Sequence, residues 1–528
     1  MIARLTSSST SSRIPDRLVE LGVCLPMLAF FYWPTSWPRT PALLLLLVVA
    51  VLAWLRLEIA VALIPLTLPY YLLLQPLRTS GSPAFSLGEL GLFICVGVAI
   101  LRSVLLAAER RATLEWARGL WQQARPFVLP ALLLLVGASL GVLVAPDRHV
   151  SLRAYREDII EPLAYLLLVL RYLRTRTDLV RAVVALVVAA LMVSSAGVYQ
   201  GTIDRKWHYV NATTVRVAGP YGSPNNLGFF LERALPVLFA LALTHLLRRP
   251  AGAATRAQPI WRNPLRWACL LACLPLLAAL YLTESRGAEL GVVVAALFLF
   301  VVEVRRWLAV GALVVVGAIG AFVFRTRLPA LFEQGHVGTI SERFLYWKAA
   351  LLMIRDHPIF GIGPDSFGRL YSPYLPSTSK HPNPDSYALK ALNGQPFPAT
   401  YDPGISHPHN FILDFWLSSG LLGLAALVWL LGAFAAVWLR VYRLCAPLRR
   451  GDLLQRLLLG VAASMLAAFV HGLVDNSYFL PDLSMVFWLF IGLLLVIRGL
   501  AERESREIIP EQGAQTKEIP TQSAIQPA

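Results

Sequence analysis

Apolar runs close to the length of a membrane span recur along the chain, and no other feature limits its possible folds so severely. A hydrocarbon core about 30 Å thick is crossed by roughly 20 helical residues, fewer where flanking side chains snorkel. Such runs lie near residues 18–33, 42–55, 58–75, 86–107, 126–145, 157–174, 178–200, 227–247, 267–283, 287–304, 307–325, 409–439, 456–472 and 483–499. The stretch from 42 to 75 is interrupted only by Arg56 and Glu58, and reads as two spans, one long kinked helix, or a helix followed by a re-entrant piece. Backbone groups have no water to bond inside a bilayer, so apolar runs of this length must be helical. The expected fold is an all-α integral membrane protein: a polytopic bundle of about 12–14 transmembrane helices with one large external (periplasmic) loop carrying an amphipathic helix. Composition agrees, with 57% hydrophobic residues and only 15% charged, against about 25% charged in soluble domains. No small-residue cleavage signature follows the first run, which reads as a retained helix rather than a signal peptide.

Lys and Arg number 47 against 31 Asp and Glu, a net charge of +16. In so apolar a chain the excess orients helices rather than binding nucleic acid, for which no motif is present. With the N-terminus inside, the arginine-rich connections all fall on the cytoplasmic side: Arg110, Arg111, Arg118 and Arg125; Arg171, Arg174 and Arg176; Arg248, Arg249, Arg256 and Arg262; Arg440, Arg443, Arg449 and Arg450. This threading predicts a cytoplasmic N-terminus at 1–17, transmembrane helices with short loops over 18–325, a large external loop at 326–408, C-terminal transmembrane helices at 409–499, and a disordered cytoplasmic tail at 500–528. Cys24, Cys95, Cys269, Cys273 and Cys445 lie in apolar runs or an Arg-rich loop, and imply neither a disulfide framework nor a zinc knuckle.

Polar chemistry gathers on the external side. Thr339 and Glu342 form a capping-box pair ahead of Phe344, Leu345, Trp347, Leu351, Leu352 and Ile354, and His357-Pro358 ends the run. That predicts the amphipathic helix, lying along the membrane interface as part of the site. The T-E-S-R-G hairpin at 283–287 leaves Arg286 at the external surface, either snorkelling beside Glu284 or Glu289 or binding a ligand. A second stretch runs from Glu342-Arg343 through Trp347 to the Gly/Pro turn at 356–367, which reads as a structural loop cap or as part of a site. The third is His407-Pro408-His409-Asn410, at the mouth of the next long helix, followed by Gly420 and Gly423. A metal centre of His407 and His409 with His381 is weakened by the lack of a carboxylate at ligand spacing, and no metal is expected.

The S-R-G hairpin, the R-x-x-x-W helix leading to D-H-P-x-x-G-x-G, the H-N-x9-G-x-x-G segment and a G-x-x-x-x-P-N loop ending at Asn225 resemble the O-antigen ligase and polymerase superfamily of bacterial envelopes, over roughly residues 190 to 495. The resemblance implies an inner-membrane glycosyltransferase with cytoplasmic termini and a site on the periplasmic face. Its donor would be a glycan on undecaprenyl diphosphate and its acceptor a hydroxyl of lipid A core or another glycan, amid membrane lipids and without nucleic acid. It implies a diphosphate clamp of Arg286 and Arg343 and a general base, His409, supported by Asn410, Ser285 and Asn225. Asn410 would hold the His409 ring or an acceptor hydroxyl. No Asp-x-Asp occurs in the chain, so the reaction is expected to need neither metal nor cofactor and to invert the anomeric centre. His407 and His409 are expected to point in different directions. The alternatives are a polymerase of the same superfamily and, in another class, a polytopic solute transporter. Against the transporter stands the near absence of charge within the spans, where Glu232 and Arg233 are expected near one end.

Overall fold

The structure is a computed structural model that describes residues 15–31, 39–70, 85–204, 208–209, 215–243, 263–303, 340–374, 405–445 and 453–515. The first half holds α1 (Asp16–Phe31), α2 (Arg39–Leu55), α3 (Leu57–Leu63) with a 3-10 continuation to Tyr70, α4 (Leu87–Leu105), α5 (Ala107–Val144), α6 (Arg148–Tyr155), α7 (Glu161–Tyr172) and α8 (Arg176–Tyr199). A π-helical turn, Arg156–Ile160, joins α6 to α7. After them come α9 (Pro224–Leu243), α10 (Pro264–Thr283), α11 (Arg286–Glu303), α12 (Ile340–Asp356), the short α13 (Phe367–Leu370), α14 (Phe411–Cys445), α15 (Leu453–Gly472) and α16 (Pro481–Gln515).

Eight of the described helices, α4, α5, α8, α9, α10, α14, α15 and α16, are long and apolar enough to cross a membrane. Helices α1, α2, α7 and α11 lie over further expected runs but are shorter or more charged, and the expected span at 307–325 lies outside the described residues. Leu43, Leu47 and Val51 of α2, Leu271 and Leu274 of α10 and Val428 of α14 are exposed, an apolar belt that suits lipid and not water. Side-chain caps start two of the spans where the chain leaves the aqueous phase: Ser86 with Glu89 begins α4 and Thr175 with Asp178 begins α8, each a reciprocal capping box.

Several expectations are revised. The 42–75 stretch is not one kinked helix: the backbone leaves helical geometry at Arg56 (φ −141°, ψ 72°), whose guanidinium reaches Asp16 and Glu58. The following α3 and its 3-10 turn are buried, with Ile59, Val61, Ile64 and Leu66 all in the core. Helix α16 continues to Gln515 rather than giving way to a disordered tail at 500; residues 516–528 lie outside the described residues. The all-α architecture carries one small addition, an antiparallel ladder pairing His208 with Arg216 and Tyr209 with Val215.

The amphipathic helix forms as α12, ending at Asp356 before His357-Pro358; Thr339 of its capping box lies outside the described residues. Its inner face, Leu345, Tyr346, Ala349, Ala350, Met353 and Ile354, is buried in a small core shared with Phe367, Tyr371 and Leu417 of α14. The Gly/Pro turn after α12 lies across a break in α14, where Gly420 adopts φ 64° and ψ −162°. Leu417 O accepts the amides of Ile362 (2.7 Å) and Gly363 (3.2 Å), and Ile359 O accepts that of Leu421 (3.0 Å). A Cβ at Gly361 would stand 2.2 Å from Leu417 O and one at Gly420 2.1 Å from Ile359 O, so glycine alone permits this backbone-on-backbone contact. The loop-cap reading of this turn thus has a physical basis: it fastens α12 to α14.

Candidate active site

One end of the bundle collects the starts of α9, α11 and α14, the end of α10, helix α12 and the α15–α16 connection. At its centre is Asp475, in that connection and only 1% exposed. His409 Nδ1 lies 2.6 Å from Asp475 Oδ1. Asp475 Oδ2 accepts from Arg343 Nη2 at 3.1 Å and from Asn225 Nδ2 at 3.0 Å, and the Asn476 amide donates to Oδ1 at 2.8 Å. Burial alone would raise this carboxyl; the charge of and hydrogen bond from His409, then Arg343 and His471, hold it well below the usual carboxylate range. A carboxylate on Nδ1 fixes the ring orientation, while Nε2 has no partner among the described residues. His409 itself has φ 50°, a left-handed conformation that is costly outside glycine and persists where its surroundings enforce it. Trp347 Nε1, donating to His409 O at 3.0 Å, is one such restraint; it explains the tryptophan four residues after Arg343, one helical turn on.

Of the residues singled out in the sequence, His409, Arg343 and Asn225 are brought together. Arg286 opens α11 with its side chain exposed and with no hydrogen bond or ion pair among the described residues. Ser285 is 2% exposed, with an unpartnered hydroxyl packed where a Cβ on Gly228 of α9 would touch it at 3.1 Å. Its place is at the contact of α9 with the start of α11. Asn410 directs its amide to backbone: Oδ1 caps α14 by accepting from Ile412 and Leu413 (3.0 and 3.1 Å) and Nδ2 donates to Leu473 O (2.8 Å). These bonds pin the connection that carries Asp475 to the helix that carries His409, and none of them goes to the His409 ring. His407 and His409 do not diverge as expected: their rings meet edge to face with centroids 4.6 Å apart. The His407 Nδ1 atom is sealed from solvent without a partner. Burial, and then the charge of His409, pushes this imidazole down to about 3, so His407 is neutral.

Two functional candidates escaped the sequence reading. Asp475 is one acidic residue in a short loop, 66 positions from His409; only its placement between two spans, beside Asn476, offered a hint. Arg216, at the end of the small ladder, donates through Nε to Thr283 O (2.6 Å) and through Nη2 to Asn225 Oδ1 (2.7 Å). Burial lowers its guanidinium, with attraction from Glu284 and Asp475 opposing repulsion from Arg343 and Arg286. Arg216 thus stands in the shared field of both predicted clamp arginines and makes a third cation there.

Beneath the site lies a second histidine–carboxylate pair. His471 Nδ1 is 2.9 Å from Glu232 Oε2, Glu232 Oε1 contacts Arg233, and Arg233 Nη2 donates to Ser477 O at 2.8 Å. Glu232 and Arg233 are 0% and 2% exposed and sit two turns into α9, not near its end. The His471 ring stacks on Phe229 at 4.0 Å, and a Cβ on Gly287 would come 2.2 Å from its Cδ2 atom. The glycine of S-R-G is therefore a packing requirement: it lets α11 approach α15, which sets Arg286 at this end of the bundle.

His407, His409 and Asp475 offer ligand atoms within 4.8 Å of one another, a set that a metal ion would fit by distance. The carboxylate that sequence spacing lacked is thus supplied by the fold. Both its oxygens are already engaged by His409, Arg343, Asn225 and the Asn476 amide, so a cation here would have to displace those bonds. His381 lies outside the described residues.

Fold and site together define a polytopic helical membrane protein with a histidine–carboxylate–arginine constellation at one end of the bundle. Residues 271–428 match the family model described as O-antigen ligase, a segment holding Arg286, Arg343 and His409. The match supports the O-antigen ligase superfamily for this chain, and with it a membrane enzyme that processes glycans in polysaccharide assembly. No curated protein matches the chain.

Proposed function

We propose that the protein transfers a glycan from undecaprenyl diphosphate onto an acceptor hydroxyl, with lipid A core as acceptor, at the periplasmic face of the inner membrane. The observation that carries this reading is His409 held at 2.6 Å on the buried Asp475 carboxylate, with Arg343 on the other oxygen. His409 Nε2 removes the acceptor proton as the hydroxyl oxygen attacks the anomeric carbon. The sugar–phosphate bond breaks with both electrons going to the diphosphate, and single displacement inverts the centre. Asp475 stabilises the imidazolium that forms. Arg286, the unengaged nitrogens of Arg343, and Arg216 supply fixed positive charge where the diphosphate develops negative charge. With Asp475 saturated by protein donors, the reaction runs without a metal.

Purified protein with lipid-linked donor and acceptor tests this. His409→Ala should abolish transfer while still binding donor, His407→Ala should retain it within a modest factor, and EDTA should leave the wild-type rate unchanged. The reverse histidine pattern, or loss in EDTA restored by magnesium or manganese, refutes the mechanism. In cells, deletion should leave free carrier-linked polymer; single repeat units would identify a polymerase instead.

A further inference from the structure

We propose that a cavity at the opposite end of the bundle binds the phosphate headgroup of an anionic phospholipid from the leaflet at that end. The cavity, of about 420 Å³, lies between the first half of α5, the end of α7 and the second half of α16. Arg498 is 16 residues beyond Asp482 along α16, or about 24 Å at the helical rise, and Arg506 about 36 Å. Measured along α16 from the end that follows the connection carrying Asp475, the cavity therefore lies roughly a bilayer thickness away.

Arg174, Arg498, Arg503 and Arg506 line it, against a single carboxylate, Glu502. Glu502 forms a long ion pair with Arg498 Nε at 3.7 Å, and Arg498 Nη2 donates to the backbone carbonyl of Gln123. Among the described residues the Arg174 guanidinium donates from Nε to a backbone carbonyl, Arg171 O, at 2.9 Å, while the Arg174 amide donates to Asp178. Partial burial first, and then the charges of Arg171 and Arg503, push the Arg174 guanidinium below its usual value against the opposing charge of Glu109. Leu170, Leu173, Leu495 and Leu500 form the apolar part of the wall. Guanidiniums above an apolar wall at the membrane surface match a phosphate joined to acyl chains better than a fully soluble anion.

Two glycines hold the space open. A Cβ on Gly119 or on Gly499 would meet nothing within 4 Å, so neither glycine is needed for helix packing, although both lie inside helices, where glycine is disfavoured. Both line this cavity.

The test is native mass spectrometry of the full chain in neutral detergent, titrated with phosphatidylglycerol, with phosphatidylcholine, and with inorganic phosphate as competitor. Phosphatidylglycerol should be retained in preference to phosphatidylcholine and should not be displaced by inorganic phosphate. Arg503→Gln and Arg506→Gln should each weaken retention about fivefold, and Gly499→Leu should exclude the lipid. Retention unchanged in the arginine variants, which are exposed and do not threaten folding, overturns the proposal. So does wild-type retention in Gly499→Leu. Complete displacement by inorganic phosphate would assign the cavity to a soluble phosphate compound and overturn the lipid assignment. Transfer activity plays no part in these readouts, so they stand or fall apart from the function proposed above.

Discussion

Replacing Asp475 by asparagine keeps the side-chain shape and removes the charge on which the site is centred. The carboxylate makes two charge-assisted contacts, to His409 at 2.6 Å and to Arg343 at 3.1 Å, and they act differently on the rate. The His409 contact strengthens as the ring takes the acceptor proton, so its loss raises the barrier. The Arg343 contact competes with the donor, so its loss frees a guanidinium for the diphosphate. A hydrogen bond to a charged group contributes about 1.5–3 kcal/mol, which at 1.36 kcal/mol per decade is a fall in kcat of about 10- to 150-fold. An asparagine amide facing Nδ1 would also favour the wrong tautomer, and an Asp→Asn change of that kind in serine hydrolases lowers kcat by about 10⁴, so the estimate is a lower bound. Single-turnover transfer and donor binding, measured separately on Asp475→Asn, should show a slower chemical step with donor affinity equal to wild type or tighter. A kcat within threefold of wild type, or a loss carried wholly by donor binding, would refute the assignment of Asp475 to His409.

Arg286→Lys and Arg343→Lys keep the charge but lose the planar fork, and each should slow transfer by about 10²- to 10³-fold; near-normal activity of Arg286→Lys in the same assay would return Arg286 to a snorkelling role. Gly287→Ala should lower the Tm in detergent by an amount matching about 1–3 kcal/mol of overpacking, because the new methyl would lie 2.2 Å from His471; an unchanged Tm would show that α11 does not lean on that ring. His407, pushed down to about 3 from 6.5, binds a proton more readily unfolded than folded, so stability it leaves intact above pH 6.5 is lost as the pH falls toward 3. His407→Gln should therefore flatten the fall of Tm on the acid side of pH 6.5, and parallel curves for variant and wild type would contradict its burial as a neutral ring.

Much of the site was legible because its parts are local. An arginine one turn before a tryptophan, a histidine–asparagine pair at a helix mouth and a glycine after Ser-Arg all carry meaning within a few residues, and the structure gives each a physical role. The roles were less legible than the residues. Asn410 was expected to reach a ring or substrate, and its oxygen instead caps a helix, because the first amides of any helix need acceptors and the side-chain oxygen of an asparagine just before them accepts from them. Ser285 lies between α9 and α11, where no spacing along the chain could have placed it.

From the sequence alone come the membrane-spanning helical architecture, the helix that forms as α12, and the candidate base His409 with two of the residues gathered around it, Arg343 and Asn225. Hydrophobicity and capping act over a turn or a span, and a bilayer leaves the backbone only one way to satisfy itself. Tertiary structure alone decides that Asp475, 66 positions from His409, becomes its partner, that Arg216 joins the two predicted arginines, and that Glu232 meets His471 across 239 positions. Those meetings depend on how helices pack side by side, and packing is set by contacts between segments far apart in the chain, which no local pattern records.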